Sequence, residues 1–309
     1  MSFTNSEISK KIKELAFKQG FTACGIAPAK ELTEDAEHLK NWLGKGMHAG
    51  MQYMGNHFAK RIDPGKLVPG AKSVIVVLLN YYPVDIPNES SNLLISKYAY
   101  GKDYHKVMKK MLKQLKDTIH TTLKPLAGRI FVDSAPVLER SLAAAAGLGW
   151  IGKNANLISP KHGSFVFIGE LISDLELDYD NPIPDYCGGC TKCIRACPTK
   201  AIVSDKIIDC RKCISYWTIE HKDQIDESLK GSFNKWIFGC DICQDVCPWN
   251  KKTIPHTVDE FTPEPDLLRM LQQDWQELTE DRFEQLFKGS AVNRAGFTGL
   301  KRNIRFVNE

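Results

Sequence analysis

Nine of the ten cysteines lie between residues 187 and 247, and only Cys24 stands outside that stretch. The first twenty residues carry Lys10, Lys11, Lys13, Glu14 and Lys18 and no apolar core of the kind a secretory leader needs, so a cytoplasmic setting is expected. Thiols clustered in a reducing compartment point to metal rather than to disulfides. Cys187, Cys190, Cys193 and Cys197, with Pro198 after them, form a C-x2-C-x2-C-x3-C-P run. Three thiolates at two-residue gaps wrap three corners of one cubane, and the fourth ligates the other cluster in two-cluster ferredoxins. Gly188 and Gly189 let the backbone approach closely and donate N–H bonds to the sulfides. Zinc sites pair two C-x2-C knuckles, which three evenly spaced cysteines suit poorly. Cys240, Cys243, Cys247 and Pro248 repeat the run without its first member, so Cys210 or Cys213 stands in. The crossover rule then assigns one 4Fe-4S cluster to Cys187, Cys190, Cys193 and Cys247. The other takes Cys197, Cys240, Cys243 and one of Cys210 and Cys213.

Three loops of the first 175 residues could carry further chemistry. Asp103-Tyr104-His105 opens a lysine-rich segment; residues 97–124 hold eight lysines and two aspartates, about +6 in all. Asp103 reads as a helix cap and the lysines as a solvated face, or as the cationic stripe that a polyanion such as a nucleic acid requires. Asp103-x-His105 also has the start of a cobalt-ligating D-x-H-x-x-G pattern, but Met108 occupies the glycine position. Asp133 follows an apolar strand and precedes Pro136, where it serves as a cap or as a carboxyl presented at a strand end. Burial would raise its pKa and make it a proton donor. The third loop, Gly149–Asn156, offers Lys153, Asn154 and Asn156 to a large polar ligand, or is a glycine-rich turn. No dinucleotide fingerprint or phosphate loop occurs.

The elements that must position these residues follow from length and pattern. The 309 residues, 43% hydrophobic and 25% charged with a net charge of +4, suffice for one large domain or two ordinary ones. The longest apolar run, Val74–Leu79, falls far short of the roughly 20 residues that span a bilayer. Thr4 and Glu7 have capping-box spacing before a helix bearing Ile8, Ile12 and Leu15 on one face. Buried strands are predicted at 21–25, 73–79, 129–132 and 165–172, and helices at 34–44, 103–123 and 137–146. Residues 259–284, with nine acidic and two basic side chains, read as a solvated helical tail against the cluster segment. The expected domains are 1–178, 179–255 and 256–309.

The segments Lys97–His105, Val132–Arg140, Ala146–Asn154, Cys187–Pro198, Arg211–Tyr216 and Trp236–Trp249 together resemble the epoxyqueuosine reductases. The resemblance runs from the first helix to about Leu300. It implies an α+β enzyme: an N-terminal mixed α/β sandwich that binds cobalamin, as in reductive dehalogenases, then a ferredoxin-like domain with two 4Fe-4S clusters and a short helical tail. It implies Cys213 as the remaining cluster ligand, Asp133 as proton donor, and Asp103 and His105 beside the substrate. Cobalamin contacts are expected from Asp133, Lys153, Asn154 and Asn156. The implied reaction reduces epoxyqueuosine at the wobble position of tRNA to queuosine, with electrons from an external low-potential donor and with a monomer as the working unit. Longer members carry a further helical-repeat segment that helps grip tRNA, so the docking of tRNA is expected to differ here. A dehalogenase-like corrinoid enzyme and a ferredoxin-type electron carrier are the rival readings; the lysine-rich helix speaks against the first and the large N-terminal domain against the second.

Overall fold

The computed structural model describes residues 3–87 and 93–308. Four strands form the central sheet: β1 (Ala23–Pro28), β2 (Ser73–Asn80), β3 (Gly128–Phe131) and β4 (Val166–Ser173). Their order is β1-β2-β4-β3 with every neighbour antiparallel. All eight residues of β2 are buried, which is why that segment reads as a continuous apolar run instead of an alternating one.

Helices cover both faces. On one lie α1 (Asn5–Lys18), whose Thr4–Glu7 capping box forms as the spacing predicts, and the long lysine-rich α2 (Tyr104–Thr122). Ile8, Ile12 and Ala16 of α1 pack with Met108, Leu112, Leu115 and Ile119 of α2 against Ile26, Ile75, Val77 and Leu171 of the sheet. On the other face α3 (Glu139–Ala145) sets Leu142 and Ala143 against Val74, Val76, Phe131 and Ile172. The result is the expected α+β sandwich. No helix among the described residues is long and apolar enough to cross a membrane.

The C-terminal region differs from its sequence reading. Residues 259–284 break into short helices, and Leu267, Trp275, Leu278 and Phe283 are buried with Phe287. They form a core of their own against Leu93, Ile95, Ala99, Tyr100 and Phe238. The acidic residues only coat its outside, and the tail packs on the segment leading into α2 as well as on the cluster region. Its last helix, α4 (Gly296–Asn308), clamps the single π-helical turn Tyr216–Glu220. Asn303 there is fully buried and donates to the carbonyls of Thr218 and Ile237, at 2.8 Å each.

Candidate active site and thiol sets

Asp103 caps α2, its Oδ1 accepting the His105 backbone N–H at 3.0 Å. The same oxygen stands 2.7 Å from His105 Nδ1, while His105 Nε2 stands 3.2 Å from Asp133 Oδ2. An imidazole whose two nitrogens both face carboxylate oxygens donates from both only in its protonated form. Burial opposes that charge, but the bonds to Asp133 and Asp103 outweigh it and hold His105 above the usual imidazole value. Tyr104 completes the cluster. Its ring stacks on Phe167 at 4.2 Å and on His105 at 4.1 Å, and its hydroxyl donates to Asp133 Oδ2 at 2.6 Å.

Asp133 itself departs from expectation. Burial alone would raise its pKa, yet the bonds from His105 and Tyr104 prevail and hold the carboxyl below the ordinary aspartate value. More than half of its side chain, 57%, is open to solvent, which further weakens any desolvation. These bonds favour the ionised carboxyl and the protonated histidine, where burial, the cause weighed in the sequence, favours the neutral carboxyl. Its backbone sits in the left-handed region at φ +55°, a conformation aspartate tolerates at a cost of about 1 kcal/mol. The Asp133 N–H donates to Glu139 Oε1 at the start of α3. Burial first, and then the negative charge of Asp133, push the Glu139 carboxyl up to about 8. Beneath α3 lies Glu170 on β4, fully buried, with neither carboxyl oxygen hydrogen-bonded. Burial drives it well above the ordinary range, so it is neutral.

The cysteines fall into two neighbourhoods. Cys187, Cys190, Cys193 and Cys247 line one cavity of about 440 Å³, with Lys153, Asn154, Lys192 and Lys252 around it. After burial, the charges of Cys187 and Cys247 raise the Cys193 thiol. Cys213 and Cys197 likewise act on Cys243, and Cys243 and Cys213 on Cys240. Cys210 stands beside Cys213 but on the Arg140 side, and burial pushes it up to about 12. Among the described residues no group of three His, Cys, Asp or Glu side chains forms a single-ion site. Trp150 Nε1 donates to Cys187 Sγ at 3.4 Å, and the Ala201 N–H to Cys197 Sγ at 3.3 Å. Such bonds to ligating sulfurs tune iron–sulfur potentials.

The loop 152–156 separates this region from Asp133. Lys153 pairs with Asp205 at 3.2 Å, and Asn154 is buried with its amide donating to the Cys243 carbonyl at 3.3 Å. Both face the thiols rather than Asp133. On the other side of the loop, Arg140 Nη1 donates to the Ala155 carbonyl, and Asn156 stays half-buried.

Residues 61–134 match the family described as epoxyqueuosine reductase QueG, DUF1730, and residues 186–250 match a 4Fe-4S double cluster binding domain. An epoxyqueuosine reductase of Leadbetterella byssophila is 56% identical over 98% of this chain and 99% of its own. The chain belongs to the epoxyqueuosine reductase family. It is accordingly an oxidoreductase that reduces epoxyqueuosine and carries a double 4Fe-4S domain. Among solved structures, an epoxyqueuosine reductase with an epoxyqueuosine-modified tRNA-Tyr stem loop superposes with a TM-score of 0.90 at 27% identity, covering 97% of this chain and 80% of that one. The Bacillus subtilis epoxyqueuosine reductase, captured with its catalytic aspartate loop swung out of the active site, gives 0.89 at 27%, covering 97% and 81%.

Sequence reasoning about this reductase missed four residues. Tyr104 lies between the two named residues of the Asp103-x-His105 pattern, where its own type carries no signal. Glu139 and Glu170 give no signal, because only the fold brings α3 over β4. Arg294 comes from the tail and binds both oxygens of Glu220, at 2.8 and 3.3 Å, close enough to Asp133 for their charges to interact.

Proposed function

We propose that the chain acts on epoxyqueuosine within tRNA, with Asp133 delivering to the departing epoxide oxygen a proton that His105 stores. The observation that carries this reading is the one imidazole held between Asp103 and Asp133 at the open side of the sandwich. Opening an epoxide and expelling its oxygen as water takes two electrons and two protons, and the oxygen leaves only once protonated. The proton on His105 Nε2 lies 3.2 Å from Asp133 Oδ2. Asp133 relays it to the substrate and the second proton comes from solvent, while Asp103 fixes the ring and stabilises its charge. Tyr104 holds Oδ2 in place throughout.

The thiols of Cys187, Cys190, Cys193 and Cys247 hold one 4Fe-4S cluster, and those of Cys197, Cys213, Cys240 and Cys243 the other. Cobalamin, when bound, supplies a low-valent cobalt that carries the two-electron chemistry. The residues around Asp133 fit a large amide-bearing group: Arg61 Nε is buried without a hydrogen-bond partner and within electrostatic reach of Glu139. Arg61, Asp133, Asn156 and the backbone of 152–156 would hold it between the substrate side and the thiols. An external low-potential donor reaches the Cys187 set through the lysine-lined cavity mouth. The exposed lysines of α2 meet the tRNA backbone. Residues 1–178, 179–255 and 256–309 divide these tasks within a cytoplasmic monomer.

The test is anaerobic incubation of cluster- and cobalamin-loaded protein with reductant and an epoxyqueuosine-bearing tRNA stem loop, followed by nucleoside mass analysis. Loss of one oxygen mass supports the reading. Turnover of the free nucleoside at the same rate as the stem loop would remove tRNA from it.

A further inference from the structure

Asp133 is the one residue of the catalytic cluster whose backbone is in the left-handed region, and it sits at the end of β3, where the chain leaves the sheet. Its side chain is steered from α2 by Tyr104 and His105. Those bonds grip the carboxylate, but they do not fix the peptide that carries it. Within the turn, the Ser134 N–H donates to the Val132 carbonyl at 2.6 Å, and Lys109 reaches Ser134 Oγ at 3.0 Å. The Asp133 N–H alone is directed away from α2, into α3, where it meets Glu139 Oε1.

Glu139 is suited to this task by its placement. It is the first residue of α3, so its backbone is held by a helix whose Leu142 and Ala143 are packed into the sheet. Leu138 provides no side-chain cap for that helix. The Glu139 carboxyl is turned instead to the neighbouring loop. We propose that Glu139 is a positioning residue whose Oε1 latches the Asp133 peptide, holding the catalytic turn in its inward position. The proposal rests on the reading of Asp133 given above. In the Bacillus subtilis relative the aspartate loop is seen swung out, so in that protein the turn has a second position to be latched against.

The electrostatics agree. Glu139 faces Asp133, His105 and Arg140 and stands over Glu170. Burial and the Asp133 charge favour its neutral form, in which the acceptor oxygen is kept and the two carboxyls do not repel. A glutamine supplies the same acceptor on the same length of side chain. An aspartate keeps the acid but falls one methylene short of the Asp133 N–H, and a methionine keeps the length without an oxygen.

The experiment compares E139Q, E139D and E139M as loaded holoenzymes, after iron content has established that each is folded. Hydrogen–deuterium exchange of the peptide 132–138 reads the latch, and steady-state kinetics reads its consequence. Exchange should quicken in E139D and E139M and stay slow in E139Q. kcat should fall about 100-fold in E139D and E139M, the size of effect expected from a misplaced catalytic group, with KM unchanged. E139Q should recover most of the loss. Unchanged exchange in both E139D and E139M overturns the latch, as does an E139Q as impaired as E139M, which would make the proton rather than the acceptor the essential feature. If E139M fails to load iron, E139D against E139Q decides alone. Quickened exchange with full kcat would leave the latch standing and remove Asp133 from the chemistry.

Discussion

The backbone N–H of Asp103 donates to the carbonyl of Gly289 at 2.6 Å. The aspartate that orients His105 therefore rests on the C-terminal segment, 186 residues further along the chain. Ser290 Oγ adds a bond to the Ala99 carbonyl at 3.0 Å, and the buried Phe287 lies just before both. Phe287→Ala should cost about 3–5 kcal/mol, as loss of a core phenylalanine does. It should also lower kcat by loosening Asp103 while leaving iron content intact. Denaturant titration and iron analysis check this; a destabilised variant with full kcat would show that the tail does not steer the site.

Asp133→Asn should fold, load both clusters and lose about 10²–10⁴ in kcat, the usual contribution of general acid catalysis. Single-turnover assay on the stem loop measures it. Near-normal turnover would take Asp133 out of the proton path.

The pH dependence follows from His105. Its pKa is raised in the folded protein by Asp133 and Asp103 against the effect of burial. The protonated, active form therefore persists above the ordinary imidazole value of about 6.5 and is lost as pH rises through the higher folded value. Asp103→Asn removes one of the two carboxylates, and the alkaline limb of kcat/KM should move toward lower pH. A limb that stays in place would assign it to another group.

Glu170 makes a prediction about stability. Its folded pKa lies above the unfolded value of 4.5, so between those two pH values the native state holds a proton that the unfolded chain has released. Stability must fall as pH rises through that window. Glu170→Gln cannot ionise, so it should be more stable than the parent at pH 8, with the difference shrinking toward pH 4. Thermal melts of anaerobic holoprotein across that range would reveal it; parallel curves for the two proteins would contradict it.

Cys213→Ser should halve the iron content, while Cys210→Ser should keep all of it, since Cys213 is the thiol whose charge acts on both Cys240 and Cys243. Equal loss in both variants would mean that the two exchange roles.

The strands, the three main helices and the double-cluster segment were legible because each rests on local chemistry: apolar runs, a capping box, and C-x2-C spacing. What stayed hidden depends on contacts between distant segments. Lys97 counts toward the basic stripe in the sequence, yet it is buried and paired with Asp245 at 2.8 Å and Asp241 at 3.5 Å. The nine acids of 259–284 masked the apolar residues between them, because charge density says nothing of which face is inward. Burial alone favours a neutral Asp133, and only the geometry of Tyr104 and His105 shows the bonds that act the other way.

In the proposed assignment each cysteine run lends its last member to the other, so neither thiol set is completed from one contiguous stretch of chain. The second set closes with Cys243 and the first with Cys247, only four residues later. A ribosome must therefore pass residue 243 before either proposed quartet exists, and both then become whole almost together. On that assignment a polypeptide cut short before residue 243 has no complete quartet to offer the cell's iron supply.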